Sequence, residues 1–124
     1  LAIGASEVWL AIFLLSITAS NNPNGAKLTI NGPSSPTFFG AVGFGIKQGA
    51  STALSLNSIN TPGNDIYNSV NWSGNGDQHN IAIFAWLVNS TNTGNLRAQF
   101  AQGSSGAQAT TMKAGSAVIG IRLA

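Results

Sequence analysis

One histidine, His79, and three carboxylates, Glu7, Asp65 and Asp77, are all that this 124-residue chain offers for acid–base or metal chemistry. A Ser-His-acid relay needs a base oriented by an acid beside an exposed nucleophile, which leaves only His79 with Asp65 or Asp77. Around Ser104 and Ser105 the sequence runs Gly-Ser-Ser-Gly, without the G-x-S-x-G spacing of a nucleophile elbow. That segment reads as a loop. A two-carboxylate hydrolase would have to draw its pair from the same three acids. Glu7, at the head of an apolar run, reads as structural. The expectation is a chain with no catalytic residues and no enzyme activity.

His79 and Asp77 lie two positions apart, and imidazole with carboxylate suits a divalent cation. Two ligands make a site only where symmetry multiplies them, as around a threefold axis, so the plainer reading is a polar loop ahead of a strand. Gly74-Asn75-Gly76-Asp77 lacks the alternating acids of a calcium loop and reads as a turn. With no cysteine the chain has neither disulfides nor a thiolate site. No metal and no cofactor are expected.

Tyr67 and Trp72 are the candidate ligand-binding residues, for a glycan or a receptor. Both lie in a loop-rich stretch where flat ring faces would stand beside Asn, Ser and Asp donors, although protein interfaces use the same groups. Trp86 stands inside an apolar run and is expected in the core. Asn71-Trp72-Ser73 and Asn89-Ser90-Thr91 match the N-glycosylation triplet, which matters only in a secretory pathway and arises by chance in so Asn- and Ser-rich a chain.

Composition limits the remaining classes. Charged residues number only 8, while Asn, Ser, Thr, Gln and Gly together make 57. Soluble domains are roughly one quarter charged and rely on that charge for solubility. Cover by copies of itself or by a larger assembly is the expected compensation. Lys27, Lys47, Arg97, Lys113 and Arg122 are scattered along the chain, whereas nucleic-acid binding calls for a clustered basic face. The net charge of +2 reflects scarcity of acids. The apolar run from Val8 to Leu15 is eight residues long, and a membrane-spanning helix needs about 20. Neither nucleic acid nor membrane is an expected partner. Because the chain begins at Leu1, an anchoring segment ahead of it fits the expectation.

Short runs of Val, Ile, Thr, Phe and Trp, punctuated by Asn, Gly, Pro and Ser, predict strands and turns almost throughout. Strands are expected over residues 7–18, 27–30, 37–47, 52–58, 65–72, 80–89, 95–102, 109–113 and 116–123. The first is apolar on both faces, as in a sandwich core or at a subunit contact. Residues 80–88 and 96–102, joined by a polar loop, predict a hairpin. Lys113-Ala114-Gly115-Ser116 predicts a tight turn, and Gly120 a bulge or close backbone approach. Trp9, Phe13, Ile83, Trp86, Phe100, Ile119 and Ile121 are the predicted core.

Three stretches carry a likeness: Leu28-Thr29-Ile30-Asn31-Gly32-Pro33, Leu96-Arg97-Ala98-Gln99-Phe100-Ala101, and the closing Thr111-Met112-Lys113-Ala114-Gly115-Ser116-Ala117-Val118. Together, over nearly the whole chain, they resemble the jelly-roll domains of tailed-bacteriophage virion proteins, found on head fibres, capsid decoration proteins and tail-fibre tips. The resemblance implies an all-β jelly-roll sandwich of about eight antiparallel strands, one domain over residues 1–124. It further implies a non-enzymatic structural component on the virion surface, a homotrimer bound to other virion proteins such as the major capsid protein. The alternative is a receptor- or glycan-binding tip on the same scaffold, using Tyr67 and Trp72. An extracellular filament subunit is the third reading.

Overall fold

The computed structural model describes residues 1–19, 25–47, 53–54, 56–69, 78–103 and 109–124. Its strands are β1 (Ala2–Ile3), β2 (Val8–Ala19), β3 (Ala26–Asn31), β4 (Phe38–Lys47), β5 (Ala53–Leu54), β6 (Ser58–Ile59), β7 (Asp65–Ser69), β8 (Gln78–Val88), β9 (Gly94–Asn95), β10 (Arg97–Ala101), β11 (Thr110–Met112) and β12 (Ala117–Arg122). The described residues contain no helix. This is the all-β class that the β-branched and aromatic runs predict, because such side chains fit a pleated surface and the intervening Asn, Gly and Pro break it.

The largest sheet is built outward from β2 and β8. These two strands pair antiparallel without interruption from Val8 opposite Val88 to Thr18 opposite Gln78. On its other edge β8 pairs with β4, from Phe38 opposite Val88 to Lys47 opposite His79. β5 and β6 extend β4, while β11 and β12 line the free edge of β2. A second sheet has the order β10-β3-β7, and β1 with β9 forms a short ribbon. One apolar core lies between the sheets. It takes Phe13, Ile17, Ile83 and Leu87 from the large sheet, and Leu28, Ile30 and Ile66 from the small one.

Several local expectations are corrected. Residues 80–88 and 96–102 are not a hairpin: β8 stays in the large sheet, whereas β10 pairs with β3 in the small one. The polar loop between them therefore crosses from sheet to sheet. The buried Asn89 holds this corner, its Nδ2 donating to the carbonyls of Gly4 and Asn92, each at 2.6 Å. Ser90 and Asn92 donate to the carbonyls of Ser35 and Ser34, closing the corner against the adjacent loop.

Lys113-Ala114-Gly115-Ser116 is a turn, but it does not reverse the chain. β11 and β12 both run antiparallel to β2, with Met112 opposite Ile17 and Ala117 opposite Leu14, so the segment bulges out of one continuous edge. Gly115 takes φ +91°, in the left-handed region that glycine adopts without penalty. Ser116 Oγ accepts from the Ser16 amide at 3.0 Å, replacing the carbonyl that the bulge removes from the ladder. Gly120 carries no bulge, since the pairing of β12 with β2 runs through it. The close approach there is by side chains: a Cβ would stand 2.6 Å from Leu1 and 3.1 Å from Trp9.

The predicted core is right for Phe13 and Ile83 and wrong for Trp86, Phe100, Ile119 and Ile121, all of which are exposed. Trp9 is partly buried against the core. In β2, β8 and β12 both alternating sets of side chains are apolar, so hydrophobicity cannot tell which set faces inward.

The first residues are fastened by Glu7. Its Oε2 accepts from the Gly4 amide at 2.6 Å and from Trp9 Nε1 at 2.9 Å, and Arg122 Nη1 lies 2.9 Å from its Oε1. The hydrogen bonds from Trp9 and Gly4, aided by Arg122, hold its pKa below the ordinary glutamate value against the opposing effect of desolvation. A depressed carboxylate pKa adds stability that is present above the unfolded-state value and is lost as pH falls through the folded one. Thermal unfolding followed from neutral to acid pH should therefore show a steeper loss for the native chain than for Glu7→Gln. Superimposable profiles would show that the carboxylate charge contributes nothing to this corner.

Candidate functional site: an apolar sheet face

The side of the large sheet turned away from the core is apolar across four strands. Cross-strand register aligns its side chains in rows: Ile121, Leu10, Trp86 and Gly40 form one, Ile119, Ile12, Phe84 and Val42 the next, and Ala117, Leu14, Ala82 and Phe44 a third. None of these residues is charged. At one end the face becomes polar, with Ser16 beside Asn80 and Thr18 beside Gln78. Phe44 is 60% exposed and Trp86 52%. Phe44 and Phe84 meet edge to face, with ring centroids 6.2 Å apart, so part of the surface is already ordered as a packed layer.

The magnitude separates this face from ordinary surface. Nine of its large apolar side chains are each 40% or more exposed, a broader apolar surface than the roughly 300–600 Å² of the largest patch on a typical monomer. At ~25 cal/mol per Å², covering such an area is strongly favourable before the entropy of association is subtracted. A groove of about 780 Å³, lined by Leu14, Val42, Phe44, Ile46, Leu56 and Ala82, is cut into this region.

Among the described residues the titratable groups are not gathered into a site. His79 is buried and faces the core from β8, where its Nδ1 lies 3.2 Å from the Tyr67 hydroxyl. Its ring is thus inside the sandwich and unavailable to a ligand on a symmetry axis. Asp65 is exposed on β7, opposite Thr29 and on the outer side of the small sheet. Asp77 lies outside the described residues. Among the described residues no three His, Asp or Glu side chains come together as a metal site would require.

Of the two candidate ligand-binding residues, Trp72 lies outside the described residues and Tyr67 is corrected. Tyr67 is only 5% exposed and belongs to the core. The cause is a bulge: β7 pairs Tyr67 with Leu28 but Asp65 with Thr29, so Ile66 is an extra residue and two consecutive side chains turn inward. Simple alternation cannot reveal this. Asn89, in one of the two glycosylation triplets, is buried with its amide engaged in the corner. The other, at Asn71, lies outside the described residues.

The outer face itself is the feature that the charged-residue inventory misses. Its signal is present in residues 8–15 and 81–88, where the positions between core residues are Leu, Ile, Phe and Trp rather than polar.

Because Tyr67 is a core residue, Tyr67→Ser should destabilise the fold by about 3–5 kcal/mol, in the range of large aromatic truncations. Tyr67→Phe removes the hydroxyl, with its contact to His79, and should cost about 0.5–1.5 kcal/mol. Denaturant midpoints check both, and a neutral Tyr67→Ser would return Tyr67 to the surface. Compared with family models, curated proteins and solved structures, the chain matches none.

Proposed function

We propose that this chain is a non-enzymatic structural component of a virus particle, a jelly-roll decoration or fibre domain of the tailed-phage kind. In this reading it assembles as a homotrimer and attaches to other virion proteins, such as the major capsid protein, at the particle surface. The observation that carries the reading is the broad, charge-free outer face of the large sheet, which suits a permanent assembly better than a free monomer.

The order of strand pairing supports the jelly-roll part. The first long strand pairs with the last, β2 with β12. The second pairs with the second last, β3 with β10, and the third with the third last, β4 with β8. The innermost pair is represented by the link from the Asn57 amide, beside β6, to the Ile66 carbonyl in β7 at 2.8 Å. With β5 and β6 taken as one strand and β11 and β12 as another, this nesting is what the doubled antiparallel ribbon of an eight-stranded jelly roll would give. Neutral polar corners and a small net charge also suit close packing of copies, since they add little like-charge repulsion.

Purified particles labelled with an antibody against the domain, and imaged, test the reading. The expected outcome is label at the capsid surface or along a fibre. Particles that lack the chain would overturn it. Specific binding of the purified protein to host-surface glycans, with no place in the particle architecture, would favour the receptor-tip alternative.

A further inference from the structure

We infer that the outer face of the large sheet is the trimer contact, with three copies turning this face onto a common axis to form a shared apolar core. The inference rests on the proposed trimeric assembly and names the surface that builds it. The occupant of the face is thus a second and third copy of this chain.

Area is the first support. A stable interface takes roughly 800 Å² from each partner, and the exposed apolar side chains of the face reach that scale by themselves. Charge is the second. Since no residue in the three rows is charged, burial strands no unpaired ion, and a net charge of +2 per chain adds little repulsion between copies. A lipid surface would call for a cluster of cations around the apolar zone; here Lys47 and Arg122 stand apart at the ends of β4 and β12, Arg122 is paired with Glu7, and the face itself ends in Ser16, Asn80, Thr18 and Gln78.

Geometry sets the arrangement. In a threefold ring each copy presents one half of its face to one neighbour and the other half to the next. The β12 half offers Ile119, Ile121 and the adjoining Leu10, whereas the β4 half offers Phe38, Val42 and Phe44. Aliphatic side chains on one half would then meet aromatic rings on the other. Trp86 and Phe84, on β8 between these halves, lie close to the axis. Buried near the centre of the contact, the Trp86 ring is the expected anchor, because central aromatics carry the largest share of interface energy.

Sedimentation velocity at micromolar concentration tests the assembly, and the full chain should sediment at about 38 kDa, three times the 12.6 kDa of one chain. Trp86→Asp and Phe44→Asp should each weaken association at least tenfold while circular dichroism stays that of the native fold. A second test is independent of whether those variants fold. Val42 and Ile119 share a row but stand three strand spacings apart, roughly 14 Å, too far for a disulfide within one chain, which needs Cα atoms within about 7 Å. The chain has no native cysteine, so mild oxidation of Val42→Cys with Ile119→Cys should give disulfide-linked dimers and trimers rather than a link within one chain. A monomeric or dimeric native chain overturns the inference. Trimers that persist in both Asp variants and give no cross-link overturn the face assignment and leave the virion reading standing. Trimers that use the face but are absent from particles overturn the virion reading alone.

Discussion

The fold depends on the long antiparallel ladder between β2 and β8, which joins chain segments some seventy residues apart. Closing so distant a contact carries a large entropic cost, and apolar burial on the inner side of both strands offsets it. Ile83 and Phe13, directly opposite one another in that ladder, are both buried and meet the β3 and β7 side chains in the core. The same two strands are apolar on their outer side as well. An antiparallel sheet ordinarily covers one face and wets the other. This one has two faces that gain from cover, and the described residues of a single chain cover only one of them.

The abundance of Asn and Ser follows from how the remaining chain is held. Passages from one sheet to the other leave backbone carbonyls and amides outside any ladder, and each needs a partner. Asn89, Ser90 and Asn92 satisfy carbonyls at one such corner, Ser116 satisfies an amide at the bulged edge, and Thr110 donates to the carbonyl of Gly25. These short neutral side chains replace the charges that a soluble surface would ordinarily display. Glu7 is the exception, fixed by three partners at the entrance to β2. Its role is to tie the first residues to the last strand.

The all-β class and the placement of most strands were legible in the sequence because turn residues bracket each apolar run. Facing was less so. Where alternation survives, as in the buried-and-half-buried pattern of β3, one face is clearly inward. In β8 the inward Ile81, Ile83 and Leu87 and the outward Phe84 and Trp86 are equally apolar, so Trp86 could be read as core from composition alone. Tyr67 misled for a different reason: a bulge in β7 turned a residue from a seemingly polar stretch into the interior. Sheet membership was also hidden. The loop after β8 looked like a hairpin connection because its length and composition suit one, and only the pairing of β10 with β3 shows that it changes sheets. The candidate surface could not be read from chemically reactive residues, because it contains none.

Solvent accessibility of the outer face in the assembled protein tests the central claim most directly. Hydroxyl-radical footprinting with mass spectrometry reports it residue by residue, and aromatic side chains react readily when wet. Phe44, Phe84 and Trp86 should be protected in the native chain at micromolar concentration and should become reactive on dilution below the association range. Reaction of all three at the same high rate at every concentration, with the fold intact, would show that the face stands open to water and would contradict the claim.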